Sequence, residues 1–194
     1  MIKAFNIILR ILILPFWKID KTLPDTGTII DIGCGAGGLS NYLSISFPKR
    51  CLLGVDISKK RIEIAKKTVG ERKNIKFKLE NIMGMNFKET NHYLMVDVLH
   101  HIPFLQQEKL MLFLSKNLQR NSLLIIKEVD KTNTMPFLFG SLWEKVLYPQ
   151  EQIYARSKKE WVKILNSLDL KYEILSGSFF FPDSTFIIIC SKNI

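Results

Sequence analysis

Apolar residues recur along this chain in two rhythms, and the order of those rhythms predicts the architecture. Residues 28–32 (Thr-Ile-Ile-Asp-Ile) are the β-branched run expected of a strand covered on both faces, and residues 39–47 carry helical spacing up to the stop at Pro48. Residues 51–56 read as a second strand ending in a carboxylate, followed by a helix that Ser58 caps. That helix extends through residues 59–73 with Ile62, Ile64, Ala65 and Val69 as a partial apolar stripe, and its seven lysines and arginines, from Lys59 to Lys73, as a solvated face. Residues 75–79 alternate apolar with basic at period two, as an edge strand does. A fourth strand at 92–96, a helix at 106–118 and a fifth strand at 122–129 continue the alternation. Ser157-Lys158-Lys159-Glu160 is a capping box that opens a helix with Trp161, Ile164, Leu165 and Leu168 on one side. Residues 170–181 and 185–191 then read as two strands joined through Pro182, Asp183 and Ser184. Strand and helix taken in turn predict a doubly wound, mostly parallel α/β sheet with helices on both faces, closed by an antiparallel hairpin.

Two stretches fall outside that alternation. Residues 2–19 are apolar and lightly basic, interrupted by Lys3, Arg10 and Lys18. The run from Ile11 to Trp17 is far short of a bilayer span, and Pro15 breaks it. Two readings stand: a helix packed on the domain as a cover of the site, or an interfacial helix on anionic lipid with Phe16 and Trp17 at headgroup level. Residues 131–156 hold an apolar stretch, 137–147, bounded by Pro136 and Pro149, which is expected to be a substrate lid. The expected organisation is therefore an N-terminal apolar segment at 1–24 and one domain at 25–194.

Composition alters this picture little, and charge alters it more. With 194 residues, 47% of them hydrophobic and 24% charged, the chain is long enough for one sizeable core. The formal charge of +10 calls for an anionic partner or simply a soluble lysine-rich surface. Cys34, Cys51 and Cys190 are odd in number and form no C-x-x-C pair, which argues against disulfides and zinc and for a reducing cytoplasm, with Cys51 and Cys190 as small buried hydrophobes.

The candidate chemistry begins where the first strand ends. Gly33, Gly35 and Gly37 allow a tight turn whose backbone can approach a ligand, at the start of a helix. Asp31 stands two residues before the first glycine, where its charge would repel a phosphate, so a cationic ligand fits better than a dinucleotide. Asp56 at the tip of the second strand is placed to bond ribose hydroxyls.

Asp31-Ile32-Gly33-Cys34-Gly35-Ala36-Gly37 resembles motif I of the class I S-adenosylmethionine-dependent methyltransferases, and Asp97-Val98-Leu99-His100-His101-Ile102-Pro103 resembles the turn after strand four in their small-molecule and lipid members. The resemblance covers residues 25–191 and implies a Rossmann-like, seven-stranded fold that binds S-adenosylmethionine and releases S-adenosylhomocysteine. It implies cofactor contacts at Asp31, Gly33, Cys34, Gly35, Gly37, Asp56, Ile57, Asn81, Ile82, Asp97 and Leu99, with Ile57 and Ile82 beside the adenine. Asn81 and Asn91 stand where the family more often has aspartate; the amide oxygen of Asn81 can still accept the adenine amino group. His101, and less so His100, is the expected general base or acceptor-positioning group, since imidazole titrates near neutrality. Tyr154 and Glu128 rank behind them.

The expected reaction moves the sulfonium methyl to an N, O or C nucleophile of a small, hydrophobic or lipid-like acceptor. No metal is expected. DNA is disfavoured because neither an Asn/Asp-Pro-Pro-Tyr turn nor a Pro-Cys nucleophile is present, while RNA stays open at this charge. A non-catalytic binding module or membrane-attached partner subunit is the alternative; an NAD-dependent oxidoreductase is disfavoured by Asp31 and the hairpin. The expected location is the cytoplasm, with attachment to the inner face of a membrane through residues 1–19 as a further possibility.

Overall fold

The computed structural model describes residues 16–85, 91–132, 152–177 and 185–193. Most of the N-terminal segment, most of the expected lid and the tip of the terminal hairpin therefore lie outside the described residues. The elements run α1 (Phe16–Thr22), β1 (Gly27–Ile32), α2 (Gly38–Ser46), β2 (Arg50–Asp56), α3 (Lys59–Lys66), β3 (Ile75–Leu79), β4 (Asn91–Val96), α4 (Phe104–Asn117), β5 (Leu123–Val129), α5 (Lys158–Asn166), β6 (Leu170–Ser176) and β7 (Thr185–Lys192). Two short 3-10 turns, Ile82–Gly84 and Leu99–His101, follow β3 and β4.

The seven strands form one sheet in the order β3-β2-β1-β4-β5-β7-β6. β1 to β5 are mutually parallel, and β7 runs antiparallel to both neighbours, with Glu128 opposite Phe186 and Ile174 opposite Ile188. β1 and β4 are adjacent although two strands separate them in sequence, so the crossovers leave in opposite directions here. A crevice opens at the carboxyl ends of such a pair.

Alternate residues of each strand feed two cores, as the period of two requires. Ile30, Tyr93, Met95, Leu124, Ile126 and Ile188 pack with Met111, Leu114, Trp161 and Leu165 on the face covered by α4 and α5. Ile29, Leu52, Leu94, Ile125 and Ile187 pack with Leu39, Leu43, Ile62 and Ala65 on the other.

α1 belongs to that second core: Phe16, Ile19 and Leu23, spaced three and four apart, are all buried. Phe16 packs against Tyr42 of α2 with ring centroids 5.6 Å apart. This corrects the expectation that Phe16 meets a membrane, since its ring already covers the sheet; Trp17 next to it is 47% exposed. Arg50, wholly buried, anchors the end of α1. Its guanidinium pairs with the Asp20 carboxylate, donates to the carbonyls of Pro24, Asp20 and Leu23, and lies over the Phe47 ring.

Three further expectations are revised. The helix after Ser58 ends at Lys66, because the chain turns at Gly70 (φ 60°) and Arg72 folds back to donate to Ser44 and Asn41 of α2. Arg72 is thus a cross-link and not part of a solvated face. Cys51 is exposed: along its side of β2 cover thickens only toward the carboxyl end, from exposed Cys51 through half-buried Leu53 to buried Val55. Cys190 is buried as expected, and its thiol is pushed up to about 12 by desolvation. Among the described residues no helix is long and apolar enough to cross a membrane.

Candidate active site at the carboxyl ends of the parallel strands

The glycine turn joins β1 to α2 and is held against β2. The N–H groups of Gly33 and Cys34 donate to the Val55 carbonyl at 2.8 and 3.0 Å. Gly33, Gly35 and Gly37 all have φ between 55° and 82°, the left-handed region that only glycine enters cheaply. The three differ in their surroundings. A Cβ on Gly33 would meet Val98 at 2.6 Å and one on Gly37 would meet Phe77 at 2.5 Å, whereas one on Gly35 would meet nothing within 4 Å. Gly33 and Gly37 therefore serve packing, and the Gly35 backbone faces open space.

Two carboxylates belong to the turn, one buried at its start and one bonded to Gly35. Asp31, near the end of β1, is buried and accepts the Ser40 hydroxyl of α2 at 2.5 Å. Desolvation, opposed by that hydrogen bond and aided by the charge of Asp56, raises its pKa from 3.8 to about 6. A group held at such a cost is one that a cation would relieve. Asp56, at the end of β2, accepts the N–H of Gly35 on one oxygen at 2.9 Å and the N–H of Ser58 on the other at 2.7 Å. Each oxygen keeps a lone pair for a further donor. At Cys34, desolvation and then the charges of Asp31 and Asp56 push the thiol far up, so it is a packing group and not a nucleophile.

Beyond Asp56 lies an apolar patch bare of protein. Ile57 is 77% exposed, Leu79 51% and Met83 45%, with Leu79 paired to Asp56 across β2 and β3. Ile82 is buried behind them with Val55 and Ile32. Asn81 caps the short turn that follows, its side-chain oxygen accepting the Met83 N–H at 3.0 Å. Ile57, Asn81 and Ile82 are legible in the sequence, whereas Leu79 is not, because it continues the apolar alternation of Ile75 and Phe77 and so reads as a core residue; Met83 lies in a short turn with no periodicity to place it.

The second half of the site is the turn after β4. Asp97 adopts φ 56°, and its carboxylate accepts Lys127 at 2.6 Å. Leu99, expected at the cofactor, is wholly buried in the core below α4; its N–H donates to Glu128 and its carbonyl accepts Gln107. It supports the turn from within. His100 is buried with Nδ1 2.6 Å from Glu128 Oε2, and the half-buried His101 lies on it with ring centroids 4.3 Å apart. Tyr154 donates its N–H to the His100 carbonyl, Gln107 bonds the carbonyls of Leu99, Ile102 and Tyr154, and Arg156 bonds Gln107 and Glu108. The chain between the expected lid and α5 is thereby tied to the histidine turn.

A mostly parallel sheet with strand order 3-2-1-4-5-7-6 and antiparallel β7, with a glycine turn after β1 and acidic residues near the ends of β1 and β2, is the arrangement of the class I methyltransferase fold. Residues 29–120 match the methyltransferase domain family. An uncharacterized protein of Rickettsia prowazekii is 33% identical over 117 residues, which is 58% of this chain and 45% of that one. Malonyl-[acyl-carrier protein] O-methyltransferase of Halalkalibacterium halodurans is 43% identical over 49 residues, 25% of this chain and 18% of that protein. The chain spans less than half the length of the curated relatives it matches. The fold resembles the crystal structure of magnesium protoporphyrin IX methyltransferase from Synechocystis with bound SAH, at TM-score 0.69 and 21% identity, covering 91% of this chain and 79% of that one.

Proposed function

We propose that the chain is an S-adenosylmethionine-dependent methyltransferase acting on a small, hydrophobic or lipid-like acceptor. The observation that carries this reading is the open backbone of Gly35, held by the Asp56 carboxylate, in a turn that begins at the buried carboxylate of Asp31: a negatively charged turn suited to a cation. S-adenosylmethionine, when bound, supplies a methyl group already activated on sulfur for in-line displacement. Asp31 then balances positive charge, the remaining lone pairs of Asp56 accept ribose hydroxyls, and Ile57, Leu79 and Met83 cover the adenine with Ile82 behind them. Asn81 keeps one lone pair on its amide oxygen for the adenine amino group. Asp97 closes the cofactor side.

Little acid-base machinery is needed, since orientation and exclusion of water supply most of the acceleration. His101 is the group assigned to the acceptor, as base or as positioning contact. Residues 131–156 are assigned as the lid over it. Trp17, exposed and with the Lys18 and Lys21 ammonium groups 5.7 and 5.0 Å from its ring, favours contact with an anionic lipid surface, where an apolar acceptor would reside.

Two measurements test the reading. Calorimetry should give binding of S-adenosylmethionine and none of NAD; binding of neither would instead favour a non-catalytic module. Incubation with methyl-labelled S-adenosylmethionine and a total bacterial lipid extract should place label in the organic phase. Label confined to added RNA would overturn the acceptor assignment while leaving the cofactor intact.

A further inference from the structure

We propose that Glu128 is a positioning residue for the acceptor half of the site, holding the turn after β4 in its strained course and fixing the tautomer of His100 beneath His101. The inference rests on the methyltransferase reading above. It starts from a pair of charged residues, Lys127 and Glu128, at the end of a central strand where both are buried. Neighbours on a strand point to opposite faces, so the two reach the following segment of the adjacent strand from opposite sides.

Lys127 takes the first residue of that segment. Its ammonium donates to the Asp97 carboxylate at 2.6 Å and its carbonyl accepts the Asp97 N–H at 3.0 Å. Glu128 takes the next three. Oε1 accepts the N–H groups of Val98 and Leu99 at 3.1 and 2.7 Å, and Oε2 accepts Nδ1–H of His100 at 2.6 Å. Four consecutive residues, Asp97 to His100, are thus gripped by two, and this is the stretch where Asp97 sits at φ 56°. Aspartate tolerates that region better than most non-glycine residues, and here the bonds from Lys127 and Glu128 hold it there.

The chemistry follows from which atoms are engaged. A carboxylate only accepts, so the hydrogen on the imidazole shared with Glu128 is on Nδ1, and Nε2 is left as the nitrogen with the lone pair. With three donors on it, Glu128 is not itself the base that takes a proton from an acceptor. What it does is hold the His100 ring at a fixed angle, 46° to the His101 ring that lies on it. Glu128 acts through His100, and His101 faces the acceptor.

Glu128→Gln separates the two tasks, because the amide oxygen can still accept from Val98 and Leu99 while the amide nitrogen offers a donor to Nδ1. In nitrogen-15 spectra of histidine-labelled protein, wild-type His100 should be the Nδ1–H tautomer and the variant should switch to Nε2–H. Label transfer into the lipid extract should fall at least tenfold, with the dissociation constant for S-adenosylhomocysteine changed less than threefold. An unchanged tautomer, unchanged turnover or an equal loss of both quantities would overturn the proposal. Should Glu128→Gln fold poorly, His100→Asn replaces it: its amide can donate where Nδ1 does, so it should retain clearly more turnover than His100→Leu, and equal losses would overturn the proposal. Failure of the wild type to bind S-adenosylmethionine would sink the methyltransferase reading instead, and the spectra would still report on Glu128.

Discussion

A carboxylate kept where water hardly reaches is sensitive to pH, and Asp31 makes that testable. Its folded pKa of about 6 lies above the 3.8 of an unperturbed aspartate, so the folded chain retains a proton that the unfolded chain has lost. Stability from this group is therefore greatest below about pH 4 and falls as pH rises to about 6; Asp31→Asn should flatten that part of the melting profile. Affinity for S-adenosylmethionine should run the opposite way, rising through pH 6 as the carboxylate loses its proton and levelling above it. Calorimetry in buffers of different ionisation enthalpy should detect a released proton near pH 5 and none near pH 8. The glycines give a second contrast. Gly35→Ala carries only its backbone strain, about 1–2 kcal/mol, and should lose the cofactor while remaining folded; Gly37→Ala adds a collision with Phe77 and should lose stability first. Melting and calorimetry on the same two proteins separate these outcomes. That Asp31, the glycines and Asp56 come to the carboxyl ends of β1 and β2 was legible in the sequence, because a β-branched run leading into a glycine turn leaves few arrangements. Lys127 and Glu128 were not, since charged residues ending a strand look like an ordinary polar boundary, and only the fold reveals that both are buried.

At the scale of elements, the strands and most helices could be read directly, because period two and period 3.6 leave different imprints on a chain. The capping box at Ser157 is present with both its bonds, and Glu160 is further drawn below the usual carboxylate range, to about 2, by Lys131 and Ser157. Ser157→Ala should cost about 1 kcal/mol in denaturant unfolding. What could not be read were cross-links between elements distant in sequence. Arg72 truncates α3 by bonding α2, and Arg50 ties β2 to α1 across some 30 positions; neither leaves a local pattern. Arg50→Ala would strand the buried end of α1 with its carbonyls and Asp20 unpaired. It should destabilise by about 3–5 kcal/mol, read from the urea midpoint, and a loss below 1 kcal/mol would show that α1 needs no anchor.

For the whole molecule, the charge of +10 and the exposed Trp17 belong to one expectation. Sedimentation with anionic vesicles should show binding that falls as salt rises without vanishing, since basic residues are screened within a Debye length and buried apolar surface is not. Trp17→Ala should reduce the part that survives high salt. Binding abolished entirely by salt would assign the attraction to the scattered lysines alone, including Lys76 and Lys78, which face outward from the edge strand β3.

The placement of β7 between β5 and β6 carries a consequence for how the chain is made. Translation delivers residues in order, yet the seventh strand must enter a gap whose two walls were synthesised earlier. Until residues 185–192 leave the ribosome, β5 offers an unpaired edge flanked by Leu124, Ile125 and Ile126, and β6 has no partner to dock against. Such an edge can be taken by any passing strand. A nascent chain halted at residue 184 should therefore accumulate in insoluble or chaperone-bound form. A synthetic peptide of residues 185–192 supplied in solution should rescue part of it by adding the missing strand from outside.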